Sequence, residues 1–131
     1  MKHIKPYKIF ESFSNKVKED IEDIFGELEL DGIIHVGIIE SHYNTSDVEN
    51  NRIIKNASIN VILSSKSQFR FEDVEDCILR LPDYFKTIDG EYGVRITSTM
   101  LDGYYTIREF IREFEYDYFL SMEIIIIQKA N

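Results

Sequence analysis

The chain has 131 residues, 44% of them apolar, and 24 acidic against 15 basic side chains give it a formal charge of −9. That size and composition fit one self-folding domain and exclude wholesale disorder; the acidic balance excludes phosphate-backbone binding over most of the surface, which needs clustered Lys and Arg. Cys77 is the only cysteine, so neither an internal disulfide nor a thiolate-only metal cluster forms within one chain, and a reducing compartment fits best.

The opening MKHIKPYKIF breaks its apolar residues with Lys2, Lys5 and Lys8, and no later stretch is apolar for the length of a bilayer crossing. Neither a signal peptide nor a membrane span is expected. In KEDIEDIFGEL and the residues before it, Val17, Ile21, Ile24, Phe25 and Leu28 recur at spacings of three and four, which makes one stripe on a helix, with Glu19, Glu22 and Asp23 opposite. Ser12, Ser14 or Asn15 is its cap. Asp31-Gly32 ends it, IIHVGIIE reads as a strand, and the polar SHYNTSDVENNR reads as a mobile loop.

IIKNASINVILSS alternates, with Ile53, Ala57, Ile59, Val61 and Leu63 on one face and Asn56, Ser58, Asn60 and Ser64 on the other, so a strand with one mostly wet side is expected. FEDVEDCILRL then repeats the pattern of the first helix: Val74, Cys77, Ile78 and Leu81 stand where Ile21, Ile24, Phe25 and Leu28 stood. Pro82 is expected to interrupt or kink this helix, with Phe85 and Ile88 adding one more buried turn. Asp89-Gly90 repeats the earlier stop. YGVRITSTM is a strand with Val94, Ile96 and Met100 on one face, and Thr106 with Glu109 has the spacing of a capping box before Ile107, Phe110, Ile111 and Phe114. The closing FLSMEIIIIQKA, with its unbroken isoleucines, suits a strand covered on both faces.

The order is helix, strand, strand, twice over, with one more helix before the last strand. We therefore expect a single α+β domain over 1–131: a two-layer sandwich whose four-stranded antiparallel sheet carries helices on one face, in the order αββαβ(α)β. This is the order of a circularly permuted ferredoxin-like fold. Burying a Val, Leu, Ile or Phe side chain is worth roughly 1.5–3 kcal/mol, so the repeated stripes, and not the repeated acids, explain why the eleven-residue pattern occurs twice.

Parity places His35, Ser58 or Asn60, Arg95, Thr97 and Glu123 on the sheet face away from the helices. Imidazole, guanidinium and carboxylate together bind an anion or move protons; the competing reading is a solvated face with cross-strand polar pairs. His35 shares its face with Ile33 and Ile39, and Glu123 with Ile125 and Ile127, so neither strand has a cleanly polar side. No metal and no cofactor are expected, because His35 and His42 point to opposite faces of one strand, no glycine loop cradles phosphate, and Cys77 lies on a core stripe. Asp31 and Glu40 have a nuclease-like separation, but His42 stands where a lysine is needed. The face lacks the aromatic platforms of RNA-recognition modules, and the acidic helix faces read as ordinary charged exterior.

MKHIKPYKIFESF, with its Met-Lys start, aromatic-and-lysine stretch and Phe-Glu, resembles the openings of many small proteins of large tailed bacteriophages. It is also similar to capsid-targeting leaders of phage internal head proteins, which are cut after an apolar-any-Glu triplet, here Ile9-Phe10-Glu11. The resemblance implies a phage protein of the host cytoplasm or the virion. Residues 1–12 are then either a cleaved leader or an arm in which Ile4, Tyr7 and Ile9 pack on the domain; Pro6 departs from a helical leader. The expected activity is non-enzymatic association with a protein partner or with itself as a homodimer, Tyr104, Tyr105, Tyr116 and Tyr118 supplying contact area, with no nucleic acid or membrane partner. The alternative is a small enzyme or anion-binding domain using His35, Arg95 and Glu123.

Overall fold

The computed structural model describes residues 13–129, so the arm or leader over 1–12 lies outside the described residues. Helix α1 (Asn15–Gly26) starts at Ser14, whose Oγ accepts the Val17 N–H at 3.3 Å and satisfies one orphan amide of the first turn. Val17, Ile21 and Phe25 are buried along its stripe, and a 3₁₀ turn (Glu27–Glu29) leads to Gly32, whose φ of 74° favours a residue without Cβ.

Strand β1 (His35–Asp47) runs on through the polar segment expected to be a loop. It pairs along its whole length with β2 (Arg52–Phe69), from His35↔Ser64 to Asp47↔Arg52. Polar side chains are no obstacle, because the ladder satisfies the backbone groups and the tip is only Val48 to Asn51. There Asp47 accepts from Asn50 Nδ2 at 2.8 Å and from Arg52 Nε at 3.1 Å, and Asn51 takes a left-handed φ of 51°, which asparagine tolerates.

Helix α2 (Phe71–Phe85) buries Val74, Cys77, Ile78 and Leu81. Pro82 does not stop it. The turn beyond is held by Tyr84 Oη, which donates to Asp20 Oδ2 of α1 at 2.7 Å, and by Phe85, which stacks on Tyr92 with ring centroids 5.2 Å apart. Bonds from Lys16 and then Tyr84 hold the Asp20 carboxyl below its ordinary range, and burial followed by that same carboxylate pushes the Tyr84 phenol up.

Strand β3 (Tyr92–Thr97) ends before the expected Met100. Ser98 Oγ donates to the Ser121 carbonyl oxygen at 2.8 Å, the chain turns, and Met100 is exposed instead of following Val94 and Ile96 into the core. Helix α3 (Ile107–Phe114) has the expected capping box: the Glu109 N–H donates to Thr106 Oγ1 at 3.1 Å and the Thr106 N–H to Glu109 Oε1 at 2.9 Å. The bond from the Thr106 backbone holds the Glu109 carboxyl low. Strand β4 (Phe119–Gln128) completes the sheet.

The sheet is antiparallel throughout, in the order β1-β2-β4-β3. A ferredoxin-like sandwich opened before its first helix and closed across its old ends gives this order. The core lies on one face, where Ile59, Val61 and Leu63 of β2 and Ile124 and Ile126 of β4 meet Phe25, Leu81 and Phe110 from the three helices. Ile53 has the right parity for that layer but is 71% exposed, because β4 pairs with β2 only from Ala57 onward. Ile59→Ala is therefore expected to cost about 2–5 kcal/mol in urea denaturation, and Ile53→Ala no more than about 0.5 kcal/mol. Equal losses would contradict this register.

Candidate functional site

The sheet face turned away from the helices is organised in cross-strand rows. One row runs Gly37, Ile62, Glu123, Thr97; the next runs Ile39, Asn60, Ile125, Arg95; a third runs Ser41, Ser58, Ile127, Gly93. The face is not the wet surface expected. Asn56 and Ser58 are buried on it, as are Ile125 and Ile127, while Ile39 is 52% and Ile62 37% exposed.

Ser58, Asn60 and Glu123 form a chain: Ser58 Oγ donates to Asn60 Oδ1 at 2.9 Å, and Asn60 Nδ2 donates to Glu123 Oε2 at 2.7 Å. The link is diagonal, since Glu123 stands directly opposite Ile62 and Thr97. Thr97 Oγ1 donates to the Gly103 carbonyl oxygen at 2.7 Å, and Arg95 Nη1 donates to the Val94 carbonyl oxygen at 2.8 Å. Both side chains thus serve the backbone beside them. No ion pair joins Arg95 to Glu123 among the described residues.

His35 belongs to β1 and Arg95 to β3, the two outer strands of the sheet. Three strand spacings of about 4.8 Å separate them, roughly 14 Å across the ladder, so imidazole and guanidinium share a face without meeting. His35 is exposed beside the Ser65–Ser67 segment. His42 lies on the opposite face of β1. Of the nuclease-like acids, Glu40 is paired with Lys18 at 2.8 Å and Asp31 Oδ1 accepts the Ile33 N–H at 3.2 Å within its own turn. No group of three His, Cys, Asp or Glu side chains able to hold a metal ion occurs among the described residues.

What gathers around Arg95 is a different set. A cleft of about 270 Å³ is lined by Tyr43 and Thr45 of β1, Asn56 of β2, Arg95 of β3, Ile127 of β4, and Lys129 beyond it. Asn56 Nδ2 donates to the Tyr43 carbonyl oxygen at 3.0 Å and to Thr45 Oγ1 at 3.2 Å. The sheet curls enough for its two edges to approach across this face: the Tyr43 ring meets Tyr104, from the segment after β3, edge to face at 5.4 Å. The cleft holds two cations and no carboxylate in an otherwise acidic protein. Parity alone would have shown Tyr43 and Thr45 once the strand was known to continue past Glu40; Lys129 needed the β2–β4 register.

A larger cleft, about 680 Å³, opens between the end of α1 and the start of α2, with Leu30 and Ile33 exposed at its rim and Glu27, Asp31, Glu72 and Asp76 around it. Cys77 lines its floor. Its thiol lies 3.7 Å from Glu27 Oε1, and burial first, then that carboxylate, pushes its pKa up to about 11. A thiol so placed is a packing group. Among the described residues no helix is long and apolar enough to cross a membrane. Compared with protein-family models, curated proteins and solved structures, the chain gives no match.

Cys77 is expected to resist a thiol-specific disulfide reagent at pH 8 in the folded protein and to react with one equivalent once urea unfolds it. Rapid labelling of the native chain would show that the helix layer is looser than described.

Proposed function

We propose that this protein works by association with another protein chain and not by catalysis. The observation that carries this reading is the distribution of apolar groups on the face without helices. Ile39 and Ile62 stand exposed there beside the buried Ile125 and Ile127, and Tyr104 is exposed at the rim. The polar groups of that face meanwhile bond to one another or to adjacent backbone, leaving them little to offer a substrate. Apolar and aromatic side chains between satisfied polar neighbours are the composition of an interface core. The resemblance of the opening stretch supports a setting in the host cytoplasm or particle of a large tailed phage.

Light scattering over a dilution series is expected to report a mass above the 15.5 kDa of one chain, and Ile39→Asp with Ile62→Asp to lower it without loss of helical circular dichroism.

A second reading is favoured by the cleft of Arg95 and Lys129, whose guanidinium and ammonium together with the Thr45 hydroxyl have the chemistry to hold a small anion. Inorganic phosphate at millimolar concentration would then raise the melting temperature of the wild type and leave an Arg95→Ala, Lys129→Ala double variant unmoved. A single-chain mass combined with that shift replaces association with anion binding; no shift removes the second reading.

A further inference from the structure

We propose that two copies of this chain join edge to edge through β1, antiparallel about a two-fold axis at Ser41, to make one continuous sheet. The inference rests on the association reading and gives it a partner and a register.

The two edges of the sheet differ. On β3, which is short, the outward N–H of Ile96 donates to the Tyr105 carbonyl oxygen at 2.7 Å, its C=O accepts the Tyr105 N–H at 2.9 Å, and the outward carbonyl of Val94 accepts from Arg95. That edge is therefore occupied at Ile96 and at the Val94 carbonyl. On β1 the Val36 N–H donates to Glu29 Oε2 at 3.3 Å, so it points away from β2. Since pairing with β2 is unbroken from His35 to Asp47, the amides of Ile38, Glu40, His42, Asn44 and Ser46 point the same way. None of these five bonds to a described residue. The edge also lacks the lysine, proline or bulge by which open strands are commonly kept from pairing.

Beyond β4 the β1–β2 hairpin projects as a two-stranded arm, from Tyr43–Asp47 to Arg52–Asn56, with Val48 and Ile53 exposed. A two-stranded ribbon alone is marginal in water. Antiparallel pairing lays each arm along the start of the partner's β1, where the sheet is several strands deep.

Side chains select the register. An axis at Glu40 would set carboxylate against carboxylate, and an axis at His42 imidazole against imidazole; like groups directly opposite are unfavourable when charged. An axis at Ser41 sets Glu40 opposite the partner's His42 twice over, a carboxylate facing an N–H donor. It also sets Ile39 opposite the partner's Tyr43, a β-branched and aromatic pair that stabilises sheets. Glu40 keeps its second oxygen for Lys18.

Ser41 then faces its own copy at a non-hydrogen-bonded position with Cα atoms about 4.5 Å apart, within disulfide reach. Ser41→Cys under mild oxidation is expected to yield a linked species of twice 15.5 kDa, while Ser67→Cys, exposed away from the axis, stays single. His42→Pro removes one outward amide and no β1–β2 bond, a change an edge strand accepts, and is expected to abolish the dimer with the circular dichroism unchanged. Should that variant fail to fold, Ser41→Cys carries the test alone. If the wild type associates by light scattering but Ser41→Cys links no faster than Ser67→Cys, the edge and register are overturned and association stands. A single-chain mass at every concentration overturns both.

Discussion

Strand β2 lies between β1 and β4, and its alternation ties the two layers together. Ala57, Ile59, Val61 and Leu63 are buried under the helices while Asn56, Ser58 and Asn60 face the other way. Because the side-chain period of a strand is two, a slip of one residue against either neighbour would exchange these sets completely. Each buried aliphatic group contributes roughly 1.5–3 kcal/mol, against about 0.5–1.5 kcal/mol for a hydrogen bond such as that from Ser58 to Asn60. The apolar layer therefore decides the register, and the polar chain to Glu123 takes the positions left to it.

The helices were legible from local spacing because their burial follows from a repeat that the chain writes twice. Val74, Cys77, Ile78 and Leu81 are all buried; in the first copy Ile21 and Phe25 are buried, and Ile24 and Leu28 pack partly against the core. Thr106 with Glu109 was equally local: a box of two reciprocal bonds needs nothing from the rest of the fold. The isoleucines of β4 were legible for another reason, since four in succession leave no face for water. The segment from Ser41 to Arg52 was not legible, because its strand character comes from partners across the ladder and not from its own polar side chains. Pro82 does not interrupt its helix, and the further turn expected from Phe85 and Ile88 packs on the core; Met100 was misjudged, turned away where Ser98 bonds to a distant carbonyl.

For the candidate site, parity gave the face and could not give the distance. His35, Ser58, Arg95, Thr97 and Glu123 do lie on one side of the sheet, yet strand order sends His35 to one edge and Arg95 with Thr97 to the other. Only the middle of the face is knitted, and the knot includes Asn60, which parity could offer only as an equal to Ser58. The groups around Arg95 come from four strands and the residue after the last, an arrangement that depends on every register at once. Curvature completes it, because the Tyr43 and Tyr104 rings touch only when the sheet bends its margins toward each other.

Tyr105 makes only a brief pairing with Ile96, and its weight lies in what it forbids. With Ile96 taken and Arg95 plugging the carbonyl beside it, β1 is, among the described residues, the rim with more outward groups left to pair. A protein with a long bare strand is ordinarily a seed for fibrils. The proposed pairing is self-terminating for another reason, because a two-fold axis consumes the β1 edge of both copies at once.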